Sequence, residues 1–109
     1  MTSASESPQP VRAHMPLPGK LEELCAAGRE CAEYLWQIPG DASVRARLSE
    51  LLATLEGEVA KTGRSEMMRL ARELRVAAGA SPSPQQAEIL QDGLDRLGRL
   101  AQASKSGLF

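Results

Sequence analysis

The sequence predicts an all-α fold, a small antiparallel four-helix bundle with a disordered N-terminal tail, and three observations carry that expectation. Ala and Leu, which lose little side-chain freedom in a helix, number 16 and 15 of the 109 residues. Val and Ile together number only six, too few for a β-sheet core. Apolar residues recur at three- and four-residue spacing through four successive segments, each bounded by the residue types that start or stop helices. A chain of this length holds one small domain and not two with separate cores.

Residues 1–18 contain Pro8, Pro10, Pro16 and Pro18 among Ser, Gln and charged residues. Such a composition buries too little apolar area to offset its ordering entropy, and the segment is expected to be a disordered tail. From Lys20 the pattern turns helical, with Leu21, Leu24, Cys25, Gly28, Cys31, Ala32, Leu35 and Ile38 on one stripe. Pro39-Gly40 stops it, and Asp41 is placed to cap a second helix. That helix carries the stripe Val44, Leu48, Leu51, Leu52, Leu55 and Val59, and Gly63 fits a stop just after Thr62.

The third segment, Arg64 to Ala78, turns Met67, Leu70, Ala71, Leu74 and Ala78 inward. Lys61-Thr62-Gly63-Arg64 holds no proline, so one continuous helix from Asp41 to Ala78 is the alternative, at a cost of about 1 kcal/mol for an interior glycine. A break is preferred, because only a break lets the two halves fold onto each other. Ser81-Pro82-Ser83-Pro84-Gln85-Gln86 reads as a loop ending in a capping box: Ser83 at the N-cap, Pro84 at the first helical position, Gln86 reaching back. The last helix buries Ala87, Leu90, Leu94, Leu97 and Ala101 and ends near Ser104, which leaves a bundle over 19–104 and a flexible tail over 105–109.

The composition narrows the chemistry. Thirteen Lys and Arg against fourteen Asp and Glu give a net charge of -1, so no bulk attraction draws the chain to nucleic acid or to an anionic membrane. No stretch approaches the roughly 18 apolar residues of a membrane span, and no basic segment followed by an apolar run opens the chain, so a cytoplasmic protein is expected. Cys25 and Cys31 lie six helical steps apart and cannot bridge within one helix; they read as small buried hydrophobes. The lone His14 falls in the tail, where nothing orients its ring. Glu22, Glu23, Glu30 and Glu33 fall on outward sides of the first helix, a solvated face. Gly-rich phosphate loops, metal-ligand spacings and nucleophile elbows are absent, so no enzyme activity, metal or cofactor is expected.

Two features stand out from this background. The third segment holds Arg64, Arg69, Arg72 and Arg75 against Glu66 and Glu73, a local excess of positive charge. At about 100° per residue, Arg69, Arg72 and Val76 fall together opposite the Met67/Ala71/Leu74 stripe, with Arg75 at the edge. This is either an ordinary solvated surface or a contact patch with an apolar centre. Trp36 projects about 100° away from Leu35 and either covers the end of the bundle or awaits a partner.

The stretch Leu70-Ala71-Arg72-Glu73-Leu74-Arg75-Val76-Ala77-Ala78-Gly79-Ala80 resembles the helix of histidine-phosphotransfer domains that reads Ala-His-x-Leu-Lys-Gly followed by small residues. Helix count and domain size are similar to that family as well. Ala71 and Leu74 match, and Arg75 stands at the Lys. Arg72 stands where the phosphorylated His belongs, and Val76 where the Gly belongs. A guanidinium stays protonated and cannot accept the phosphoryl group, and Val76 narrows the room that Gly leaves for a receiver domain. The resemblance thus implies a relative without phosphotransfer that keeps a docking surface.

The expected function is a non-catalytic adaptor or regulatory module in bacterial-type signal transduction. It would dock a receiver domain or another switch protein through Arg69, Arg72, Arg75 and Val76, with Trp36 as a further partner-binding candidate. The alternative is a structural or assembly subunit that packs helices in an oligomer through Trp36 and leftover apolar positions such as Leu52, Ile89 and Leu100.

Overall fold

A computed structural model describes residues 17–105 of the chain, with side chains over 20–104. Four helices form: α1 (Leu17–Gln37), α2 (Ala42–Ala60), α3 (Ser65–Ala78) and α4 (Pro84–Lys105). The first begins three residues before the expected start, and Pro18 is tolerated there because the first turn of a helix has no use for its missing N–H. His14 and the rest of the expected tail, 1–16, lie outside the described residues, as do 106–109 of the expected C-terminal tail.

The breaks between helices follow local chemistry. Asp41 caps α2, its Oδ1 accepting the Val44 backbone N–H at 3.0 Å. The second and third helices are separate. Lys61 closes α2, and Gly63 takes φ +70, a left-handed conformation that a side chain would strain. Thr62 Oγ1 donates to Val59 O at 2.7 Å and accepts the Arg64 N–H at 3.1 Å, which satisfies both sides of the turn. Ser83 Oγ accepts the Gln86 N–H at 3.0 Å and caps α4.

Each helix packs on its neighbours in a closed ring, α1 on α2, α2 on α3, α3 on α4 and α4 back on α1. Along the α1–α4 seam Cys25 meets Gly98, Gly28 meets Leu94, and Arg29 pairs with Asp95 at 3.1 Å. Numbers rise on one helix as they fall on the other, so the two run antiparallel. Short connections of four and five residues impose the same arrangement on successive helices. The seam is close because glycines line it: a Cβ on Gly28 would stand 3.1 Å from the Leu94 methyl carbons.

The core is aliphatic, centred on Leu35, Leu48, Leu52, Leu55, Met67, Leu90, Leu94 and Leu97, each under 2% or at 2% exposed. Three expectations are corrected. Ile38, assigned to the inner stripe, is exposed, because α1 ends at Gln37 and the turn carries Ile38 past the last facing helix. Leu52, placed on the inner stripe but also offered as a leftover apolar position, is 1% exposed and central, which keeps the first assignment and overturns the second, whereas its neighbour Leu51 is only partly buried at the edge. The Gln86 side chain does not reach back to complete a capping box; it is buried and bonds elsewhere, as described below.

Candidate functional site

The outer face of α3 carries the cationic residues read from the sequence, and their partners decide what that face offers. Arg69 is held on both sides, donating to Glu66 at 2.9 Å and to Glu73 at 2.8 Å. Those spacings, three and four residues, are the ones that bring side chains together on a helix. The hydrogen bond and charge of Glu66, with Glu73 adding to them, raise the Arg69 pKa above its ordinary value. Arg75 reaches across to α2 and donates to Glu56 at 2.7 Å. Among the described residues Arg72 forms no ion pair, and Val76 beside it is 73% exposed.

The local positive excess is therefore mostly neutralised within the domain. What remains is one uncommitted guanidinium next to one exposed branched side chain, flanked by ion pairs. Glu56 supplies a carboxylate that no reading of the third segment alone reveals, because it comes from the facing helix.

Trp36 lies on the last turn of α1 and is 52% exposed. Nearby in sequence, Ile38 and Tyr34 are also exposed, and the Tyr34 hydroxyl donates to Asp41 Oδ2 at 3.2 Å. That hydrogen bond and the Asp41 charge raise the Tyr34 pKa. Trp36 and the α3 face stand on helices that do not pack on each other, so the ring brings Arg69, Arg72 and Val76 together and leaves Trp36 apart.

A polar cluster not anticipated from the sequence ties the α1–α2 turn to the α3–α4 loop. Gln86 donates through Nε2 to Ala77 O at 2.9 Å, Ala78 O at 3.2 Å and Ala80 O at 2.8 Å, carbonyls at and just past the end of α3. Its Oε1 accepts from Arg45 Nη1 at 2.9 Å, and Arg45 also donates to Pro39 O at 3.2 Å and Ala80 O at 3.3 Å. The sequence signal was present in Ser-Pro-Gln-Gln, but the spacing could not say that the amide would serve a different helix.

Cys25 and Cys31 are buried and unpaired with each other, and burial pushes the Cys25 thiol up to about 12, Arg29 opposing and Glu22 adding. A thiol so protonated is a poor nucleophile. Among the described residues no group of three His, Cys, Asp or Glu side chains is arranged to hold a metal ion, and no helix is long and apolar enough to cross a membrane. Comparison of the chain with protein-family models, with curated proteins and with solved structures finds no match.

Proposed function

We propose that this chain is a non-catalytic adaptor whose α3 face docks a receiver domain or a similar switch protein. The observation that carries the reading is Val76: the most exposed of the large apolar residues described, it stands beside Arg72, which forms no ion pair among the described residues. An apolar centre with an adjacent free guanidinium and a rim of ion pairs has the anatomy of a small protein contact. Arg is over-represented among residues that dominate such contacts. The likeness of residues 70–80 to the phosphotransfer helix supports a receiver domain as the partner, with Arg72 at the position of the phosphorylated residue.

Assembly of several copies is the second reading, and exposed Trp36, Ile38 and Ile89 favour it. Leu52 no longer supports it, being buried in the monomer.

The deciding experiment titrates purified receiver domains against the wild-type chain and against Arg72→Glu/Val76→Asp by calorimetry. A receiver domain that binds with Kd below about 100 µM, and is lost to the double variant at unchanged melting temperature, supports the adaptor. Binding that survives the double variant, or an absence of binding by any receiver domain tested, refutes it. Sedimentation over a concentration series addresses the second reading: a species heavier than 11.7 kDa that dissociates with Trp36→Ser would support assembly.

A further inference from the structure

We infer that the cleft between α2 and α3 is a binding site for a small, phosphate-sized oxyanion. The cleft has a volume of about 240 Å³ and is floored by Leu35, Leu48 and Leu90, with Arg45 and Ser49 on α2 and Arg75 and Gly79 on the α3 side. Two guanidinium groups from different helices thus border one cavity, with a hydroxyl donor beside them.

The state of Arg45 is the strongest indication. It is half-buried, yet its three hydrogen bonds all go to neutral oxygens, on Pro39, Gln86 and Ala80, and it forms no ion pair among the described residues. A partly desolvated cation held by neutral acceptors alone keeps an unmet demand for negative charge. Of the five N–H donors of a guanidinium, three are used here and two remain. The Ala77 and Ala80 carbonyls accept from Gln86 and Arg45, which offsets part of the negative charge they would present to an anion.

Arg75 supplies the second charge. Its ion pair with Glu56 is exposed on both sides and engages one nitrogen, Nη1. Exposed pairs of this kind are weak, so the guanidinium is free to exchange or share that carboxylate. A tetrahedral oxyanion matches the planar fork of Arg and the point donor of Ser better than water does, and charge-assisted bonds of this kind are the strong ones. The site shares Arg75 with the rim of the Arg72/Val76 contact, but phosphate binding is read without any receiver domain present, so its failure is distinguishable from a failure of the docking reading.

The test follows backbone amide resonances of the intact chain while inorganic phosphate is added at constant ionic strength, with acetate and chloride as parallel titrations. Saturable shifts centred on Ser49, Ala78 and Gly79 are expected, larger with phosphate than with acetate and absent with chloride. Arg75→Gln, at an exposed position, is expected to weaken binding about tenfold or more, the loss of a charged hydrogen bond. Glu56→Gln is expected to tighten it by releasing Arg75. Non-saturating shifts, an equal response to chloride, or an affinity indifferent to both substitutions would overturn the site.

Discussion

Gln86 lies against Arg45, Oε1 to Nη1 at 2.9 Å, while its amide nitrogen closes three carbonyls at the end of α3. One side chain on the first turn of α4 thereby fixes the end of a second helix and, through Arg45, the turn that follows a third. Buried polar groups stabilise a fold only when their bonds are all made, and loss of one partner leaves the others desolvated.

Replacing this amide is therefore costly. Gln86→Leu preserves volume but leaves the Ala78 carbonyl without its donor, takes one of two donors from the Ala77 and Ala80 carbonyls and removes a partner of Arg45, and it should lower stability by about 1–3 kcal/mol. Urea denaturation measures the loss. A change under about 0.5 kcal/mol would mean that water replaces the amide without penalty.

The two adjacent leucines of α2 separate core from edge. Leu52→Ala should cost about 2–5 kcal/mol as a cavity in the aliphatic centre, and Leu51→Ala about 1–2 kcal/mol, since Leu51 is only partly buried at the edge of the core. Parallel unfolding curves check the order. Equal losses would show that α2 is rotated by half a residue step from its described position.

Glycines inside helices give opposite signs. Gly57 has nothing within 4 Å of an added Cβ, so Gly57→Ala should raise stability by about 0.5–1 kcal/mol through helix propensity. At Gly93 an added Cβ would stand 2.5 Å from Leu74 Cδ2, and Leu74 is itself buried. Gly93→Ala should therefore destabilise, overpacking of about 1–3 kcal/mol outweighing the propensity gain. Thermal melts that rise for both variants would show that the α3–α4 seam has slack.

Acid should act on Asp41. The Val44 N–H at the start of α2 holds its carboxyl below the usual carboxylate range, with Tyr34 and Ser43 contributing in the same direction. A depressed folded pKa contributes stability that is present above the unfolded value and lost as pH falls through the folded one. The gap in melting temperature between wild type and Asp41→Ala should therefore be widest above about pH 5 and narrow below about pH 4. A gap constant down to pH 2.5 would show that the charge plays no part in the cap.

Much of this architecture was legible because helices advertise themselves locally. The stripe of α4 and the caps at Asp41 and Ser83 each depend on residues within a turn of one another, and all were readable. Ile38 was misplaced because spacing does not say where the facing helix ends. Glu56 and Arg75, or Gln86 and Ala77, meet only through the fold, at separations along the chain that no periodicity encodes. The candidate surface was legible as a pattern of arginines; its electrostatics were not, since the neutralising carboxylate comes from another helix.

The antiparallel seam between α1 and α4 joins the first helix of the bundle to the last. During synthesis α1 waits for the whole intervening chain before its partner exists, so this seam closes the longest loop in the domain and is expected to form late in folding. It also places Leu17 and Lys105 at the same pole. Linking those two positions and opening the chain at the Lys61–Arg64 turn would make α4 and α1 consecutive, turning the most extensive seam into a local contact and leaving the smaller α2–α3 seam as the one between first and last helices. Such a permuted chain should reach the same fold faster.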